Sequence, residues 1–244
     1  MHIFHNGIGK PVQGLGGGGQ GFAPTDIGAL ALWLDAADSN TITQVDGNVS
    51  QWDDKSGQAN HVTQGLAASQ PLTGTRSQNG MNVLDFDGGD YLKNDVFGPF
   101  VQPSTIIVVA AQDNTNNTWY VDGGSTGGGS QRNAIGGDYG AYKIYGGAIL
   151  NTGVAIDTAA HIRVGIFNGT SSKAYIDGGS GVTGDAGTQG ISGFVVGARA
   201  TRADSFVDGW IGEVVIYNAL LSNEEINQYG NYAAEKWGLS WTNI

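Results

Sequence analysis

The chain has 244 residues, of which 42 are glycine and 14% are charged, and its formal net charge is −11. Aliphatic and aromatic residues still make up 40% of it, so the chain can build a hydrophobic core. The negative charge and the scattered Lys and Arg residues exclude a nucleic-acid partner, and the absence of cysteine excludes disulfides, thiolate metal sites and cysteine nucleophiles.

Residues 1–24 differ in composition from the rest, with dense glycine and irregularly spaced apolar residues. These apolar residues are Ile3, Phe4, Ile8, Val12, Leu15 and Phe22. The pattern predicts an extended Gly-rich arm without a core of its own, either a frayed end or an assembly strap that docks on a neighbouring subunit. The chain lacks the apolar run of a signal peptide or of a bilayer-spanning segment, so we expect synthesis in the cytoplasm, no export by a signal of its own and no membrane partner.

From residue 28 onward, short apolar runs are separated by Gly, Asn, Asp and Ser, a pattern typical of β-strands joined by turns. The clearest runs cover residues 30–34, 83–86, 105–111, 118–121, 141–145, 161–167, 173–177, 194–196 and 210–217. In the run 161–167, apolar residues alternate, which turns one face of a strand to a core. Many strands without helical segments between them predict an all-β antiparallel sandwich or jelly roll, which we assign to residues 25–244.

The segment QWDDKSG at residues 51–57 contains two adjacent acids that could belong to a catalytic or metal-binding cluster or to a turn. Asp and Ser beside Gly favour a turn, because their side chains bond to the nearby backbone. We therefore expect Trp52 to point into the core and Asp53 and Asp54 to begin a turn. Mutation of Asp53 is expected to lower stability more than any binding activity.

A helix is predicted near the carboxyl end, in the segment LLSNEEINQYGNYAAEKWGL. Ser222 and Glu225 have the spacing of a capping box, and Gly238 can end the helix in a left-handed conformation. Four residues share one face, which we expect to pack on the sandwich: Ile226, Tyr229, Ala233 and Trp237.

Several segments resemble, in this order, the laminin G-like, concanavalin A-like jelly-roll family: LALWLDAADSNTITQ, VSQWDDKSGQANHVTQ, LDFDGGDYL, AYIDG and FVDGWIGEVVIYNALLSNEEINQY. The resemblance extends over about residues 30–239. It implies two antiparallel sheets, one of them concave. Such domains occur in carbohydrate-binding modules, adhesion proteins, glycoside hydrolases and virion proteins, so the fold leaves the function open.

The sequence lacks the residue patterns of the common catalytic sites. The glycoside hydrolases that the chain resembles carry two glutamates on one strand, but of the four glutamates here only Glu213 lies on a predicted strand. His61 and His161 lack a nucleophile motif nearby, and the G-x-G-x-x-G pattern at residues 14–19 follows no strand and opens no helix. The sequence therefore predicts no catalytic site and no enzyme activity.

Metal binding is considered for the oxygen-rich segment 113–118, where Asp113, Thr115 and Asn117 could be ligands. The segment lacks the glycine and the glutamate of an EF-hand loop, so we predict no cofactor and leave calcium as an open alternative.

Sugar recognition needs an aromatic platform and planar polar groups in a shallow groove. The candidates cluster in the middle of the chain, around the loop GGSTGGGS: Trp119, Asp122, Arg132, Asp138, Tyr139 and Tyr142. The competing interpretation is that one of Trp119 and Tyr120 belongs to the core and the other to the surface, since aromatic residues are ordinary strand formers.

Two functions remain after these exclusions. The first is a non-enzymatic structural protein of a bacteriophage virion, a homo-oligomeric capsid decoration or tail protein that docks through its arm and displays a jelly-roll domain on the virion surface, with weak binding to a cell-surface glycan. The second is a stand-alone carbohydrate-binding module or lectin. The arm, which has apolar residues but cannot fold alone, favours the first.

Overall fold

The structure, a computed structural model, describes residues 21–124 and 131–244, which form two β-sheets and one α-helix. The strands are β1 Leu30–Asp35, β2 Ile42–Val45, β3 Asn48–Trp52, β4 Val62–Thr63, β5 Ser77–Gln78, β6 Met81–Asn82, β7 Leu84–Asp87, β8 Leu92–Asn94, β9 Ser104–Gln112, β10 Thr118–Asp122, β11 Ala134–Asp138, β12 Ala141–Tyr145, β13 Ile149–Ala155, β14 His161–Phe167, β15 Ser172–Ile176, β16 Val182–Gly184, β17 Phe194–Val196 and β18 Asp208–Tyr217. The α-helix α1 is Asn223–Trp237, and short 3-10 helices cover Pro24–Asp26, Ser39–Thr41, Ala67–Ser69 and Gly169–Ser171. Among the described residues, no helix is long and apolar enough to cross a bilayer.

The strands are arranged in two antiparallel sheets that lie against each other. The seven-stranded sheet has the order β1-β18-β9-β14-β15-β16, with β7 also paired to β18. The nine-stranded sheet has the order β13-β12-β11-β10-β17-β8-β4-β3-β2, and β5 and β6 form a separate hairpin. The predicted all-β antiparallel sandwich with one carboxyl-terminal helix is confirmed.

The described residues include only the end of the predicted arm. Its residues Ile3, Phe4, Ile8, Val12 and Leu15 lie outside the described residues. Phe22 packs edge-on against Tyr232 of α1, with ring centroids 5.5 Å apart, and the Tyr217 hydroxyl donates a hydrogen bond of 2.9 Å to the Pro24 carbonyl. The described end of the segment is therefore held on the chain's own helix and sheet.

The seven-stranded sheet is the middle layer of the domain, because both of its faces are covered. Along β9, Ile106 and Val108 face the core between the sheets, whereas Ile107 and Val109 face a second core beneath α1. Burial on both faces explains why this strand reads as a continuous apolar run and does not alternate.

The helix α1 forms as its sequence predicts. The Ser222 hydroxyl accepts from the Glu225 amide at 3.3 Å, and the Glu225 carboxylate accepts from the Ser222 amide at 2.8 Å. Gly238 ends the helix with φ of 64°. The predicted apolar face, Ile226, Tyr229, Ala233 and Trp237, is fully buried against the seven-stranded sheet. These contacts confirm the capping box and the packing face.

Glu213 on β18 joins the helix to the sheet through a fully buried carboxylate. It accepts hydrogen bonds from the indoles of Trp33 at 2.7 Å and Trp237 at 2.8 Å, and from the hydroxyl of Tyr232 at 3.1 Å. The Lys236 ammonium is 3.2 Å away. Burial raises the pKa of the Glu213 carboxyl, and the charge of Lys236 offsets this only in part. Glu213, the one glutamate that the sequence places on a strand, thus connects the helix α1 to the seven-stranded sheet.

The segment at residues 51–57 is a turn, with Trp52 fully buried as predicted. Asp54 stabilises this turn. Its carboxylate accepts hydrogen bonds from the backbone amides of Trp33 at 2.9 Å, Ser56 at 2.8 Å and Asn60 at 2.9 Å. Asp53 instead has a partly exposed side chain, whose Oδ1 atom lies 3.2 Å from the Nδ1 atom of His61. The stabilising role that we expected of Asp53 therefore belongs mainly to Asp54.

We expect Asp54→Ala to lower the free energy of unfolding by at least about 2 kcal/mol, because several buried amides lose their acceptor. Asp53→Ala, which removes the same group from a half-exposed position, should change it by less than about 1 kcal/mol. Urea denaturation of the two variants measures the difference. Equal losses would show that the turn does not depend on the Asp54 contacts.

Candidate functional site

A cleft of about 360 Å³ opens on the outer face of the nine-stranded sheet, above β10, β11 and β12. The turn between β11 and β12 borders it on one side and the loop after β17 on another. Its lining residues are Asn117, Trp119, Arg132, Asp138, Tyr139, Tyr145, Ile149, Arg199, Asp204 and Ser205. Four of the six sugar-binding candidates line this one cleft, namely Trp119, Arg132, Asp138 and Tyr139.

Arg132 is held in the cleft by a buried carboxylate beneath it. Asp122 at the end of β10 is fully buried and accepts from the Arg132 Nε at 3.0 Å, from its Nη2, and from the Ala200 amide at 2.8 Å. The guanidinium carbon lies 4.8 Å from the ring centroid of Tyr145. Burial lowers the pKa of Arg132, but the bonds to Asp122 more than compensate, so the net shift is upward. The guanidinium is therefore charged and fixed in orientation.

Tyr139 stands at the rim with 86% of its surface exposed. It occupies the two-residue turn between β11 and β12, where both Tyr139 (φ 49°) and Gly140 (φ 78°) are left-handed. Its amide donates to the Asn117 side-chain oxygen at 3.1 Å, and the Lys143 ammonium lies 4.9 Å from its ring centroid. A tyrosine is unfavourable in this conformation, where Asn or Gly is preferred, and such strain concentrates at functional sites.

The other predicted sugar-binding residues lie below or outside the cleft. Trp119 lines the floor but is only 7% exposed, so it offers little stacking surface. Asp122 acts through Arg132 and does not line the cleft. Tyr142 faces the interior, where its hydroxyl accepts from Arg163 at 3.0 Å. The outward-facing tyrosine of β12 is Tyr145, which the sequence reasoning did not select.

Two charged residues of the cleft, Arg199 and Asp204, come from the loop after β17 and carry no signal in the sequence. Their side chains are about half exposed and form an ion pair of 3.5 Å. A further pair joins Lys143 and Asp138 at 4.0 Å. In the glycine-rich segment between β10 and β11, residues 125–130 lie outside the described residues.

A second cavity, of about 440 Å³, lies beside β7 and is lined by acidic residues: Asp85, Asp87, Asp90, Asp113 and Asp208. Burial, together with the neighbouring Asp87 and Asp85, raises the pKa of Asp90 to about 7. Asp113, a predicted calcium ligand, bonds Arg76 at 2.6 and 2.9 Å, while Asn117 accepts from Tyr139. Two of the three predicted calcium ligands, Asp113 and Asn117, therefore have other partners, and in the described ranges no three His, Cys, Asp or Glu residues are grouped to hold a metal.

The two histidines considered for a triad are both engaged elsewhere. His161 contacts Asp177 through Nδ1 at 2.5 Å and Asp157 through Nε2 at 2.9 Å. Burial lowers the pKa of His161, but the bonds to these carboxylates outweigh it and the pKa is raised. The Nδ1 atom of His61 accepts from the Asp54 amide at 3.0 Å. Both ring nitrogens of His161 therefore have carboxylate partners, whereas His61 uses its Nδ1 atom for a backbone hydrogen bond.

No protein-family model and no curated protein sequence matches the chain. Among solved structures, domain 4 of AbnA, an extracellular GH43 arabinanase from Geobacillus stearothermophilus, in complex with arabinotriose, matches 82% of this chain and 98% of that domain, with 12% identity and a TM-score of 0.61. Trypanosoma rangeli sialidase in complex with sialic acid matches 88% of this chain and 34% of the sialidase, with 17% identity and a TM-score of 0.59. The same sialidase in complex with 2,3-difluorosialic acid matches 93% of this chain and 36% of the sialidase, with 19% identity and a TM-score of 0.59.

These comparisons show a β-sandwich of a kind found in carbohydrate-active proteins, and at such identities the likeness shows the fold alone. The chain spans about a third of the length of the sialidases. None of the three neighbours is a laminin G or phage protein, so only the sandwich part of the resemblance is supported.

The comparisons correct the prediction that the protein is not an enzyme, because the neighbours are a sialidase and a domain of an arabinanase. That prediction rested on a missing glutamate pair and a missing triad. A glutamate pair is one of several solutions for glycoside hydrolysis, and a triad is one solution for acyl transfer, so the absence of these two patterns does not exclude other chemistry.

Proposed function

We propose that this chain is a carbohydrate-binding domain and that it binds a glycan in the cleft above β10, β11 and β12. The observation that carries the proposal is that one cleft holds both the exposed, strained Tyr139 and the fixed guanidinium of Arg132. An aromatic ring can stack on the C–H face of a sugar, while planar charged and amide groups bond its hydroxyls.

The solved structures support this choice over a virion role. Domain 4 of the arabinanase matches over nearly its whole length and was solved with arabinotriose, and the sialidases were solved with sialic acid and its analogue. None of these neighbours is a virion protein. Phe22, the described apolar residue of the predicted arm, packs on Tyr232 of the same chain, which gives no separate support to docking on a capsid. We therefore prefer the carbohydrate-binding alternative and place this domain in a carbohydrate-active protein.

Tyr139→Asn is the sharpest test of the cleft. Asn suits the left-handed turn, so we expect the free energy of unfolding to change by less than about 1 kcal/mol, while loss of the ring weakens glycan binding about tenfold. A glycan array identifies the ligand, with arabinotriose among the probes, and isothermal titration measures affinity for the wild type and the variant.

The control is Val96→Ala, because Val96 is also 86% exposed but does not line the cleft. It should leave affinity within twofold of wild type, on the order of measurement error. The proposal fails if no glycan binds to the wild-type protein, or if the two variants bind equally well.

A further inference from the structure

We infer that the cleft selects neutral sugar residues and discriminates against acidic ones such as uronic or sialic acids. The inference rests on the proposed carbohydrate-binding function and concerns its ligand class. It follows from the balance of charges around the cleft.

Each charged group at the cleft already has an oppositely charged partner. The three pairs are Arg132 with Asp122, Arg199 with Asp204, and Lys143 with Asp138. The lining itself carries two positive and two negative side chains, Arg132, Arg199, Asp138 and Asp204, and the partners Asp122 and Lys143 lie outside the lining, so the pairs balance although the whole chain carries −11.

An acidic sugar needs a positive group that can turn to it. Arg132 stays with Asp122, because its departure would leave a fully buried carboxylate without a cation, so the charge of Arg132 is already balanced when a ligand arrives. Arg199 is more accessible, but Asp204 is close enough to repel an incoming anion. The negative charge of the chain adds a long-range repulsion.

A neutral sugar meets no such conflict. Each hydroxyl both donates and accepts, so it can bond an arginine and an aspartate at once while the ion pairs stay intact. Asp138 lies on the Tyr139 side of the cleft, and Asp204 lies in the loop after β17. Acceptors contributed by two different borders of the cleft suit a sugar with hydroxyls on both of its edges.

The first experiment measures affinity by isothermal titration for two sets of probes, each at 50 and 500 mM NaCl. The Debye length differs by about a factor of three between these two salt concentrations. The neutral probes are arabinotriose, xylotriose and cellotriose, and the acidic probes are trigalacturonate and 3′-sialyllactose. We expect at least one neutral probe to bind with an affinity that salt changes by less than about twofold, and every acidic probe to bind at least about tenfold more weakly.

Preferential binding of an acidic probe that weakens steeply with salt would overturn the inference and leave the carbohydrate-binding function standing. Failure of every probe in both sets, followed by a silent glycan array, would overturn the proposed function and the inference together.

The second experiment removes one negative charge from the cleft. Asp204→Asn leaves Arg199 without its partner, so the ratio of acidic to neutral affinity should rise at least about threefold. The control is Glu235→Gln, which makes the same change in net charge at an exposed position on α1, against the other sheet. It should leave the ratio unchanged. Equal ratios for the two variants would show that net charge, and not the paired cleft, sets the preference.

Discussion

Replacement of Glu213 by alanine is expected to lower the free energy of unfolding by about 3–5 kcal/mol, the usual effect of removing one partner of a buried ion pair. The carboxylate is fully buried between β18 and α1. Without it, the Lys236 ammonium and the indole N–H groups of Trp33 and Trp237 lose an acceptor. For a chain of this size, the melting temperature should fall by roughly 6–20 °C.

The matched control for this variant is Glu235→Ala, since Glu235 lies exposed on α1 and Glu213 lies beneath the same helix. Removal of the exposed carboxylate should change the free energy of unfolding by less than about 0.5 kcal/mol. Urea denaturation followed by tryptophan fluorescence reports on both variants, because two indoles contact Glu213. If Glu213→Ala unfolded at the wild-type urea concentration, the cluster would contribute nothing to the attachment of the helix.

Most of the fold can be predicted from the sequence because its strongest signals are local. The strand β9 has a continuous apolar run. The segment of α1 contains the residues that begin the helix, those that end it and those that form its apolar face. The strand β11 has no such signal, with the sequence AIGGD. A side chain at Gly136 would come within 2.3 Å of the Thr118 carbonyl. Close approach to β10, and not intrinsic propensity, makes this segment a strand.

The candidate site was predictable only where its residues are close in sequence. Trp119 and Tyr139 lie at the two ends of one stretch, but Arg199 and Asp204 reach the cleft because β17 pairs with β10. A long-range pairing of this kind leaves no local pattern. A bulge in β10 between Trp119 and Val121 also breaks the alternation of faces, so that Tyr120 and Val121 both enter the core.

Asp122→Leu should lower the free energy of unfolding by about 3–5 kcal/mol and weaken glycan binding at least about tenfold. The reason is that Asp122 is a positioning residue: it bonds the Arg132 guanidinium and the Ala200 amide but does not line the cleft. Its loss leaves the mostly buried Arg132 side chain without a counter-charge. Thermal melting and isothermal titration measure the two effects. Asp204→Asn, which breaks the half-exposed pair with Arg199, is the stability control and should cost less than about 1 kcal/mol.

A double variant separates the structural role of the Asp122 pair from its role in binding. With Asp122→Leu and Arg132→Met together, no charge is left unpaired, so much of the lost stability should return, as it does when buried ion pairs are replaced by apolar side chains. Binding should not return, because the fixed guanidinium donors are absent. If the double variant recovered affinity together with stability, Arg132 would serve only to hold the cleft in shape, and the contacts to sugar would have to come from Tyr139 and the rim residues alone.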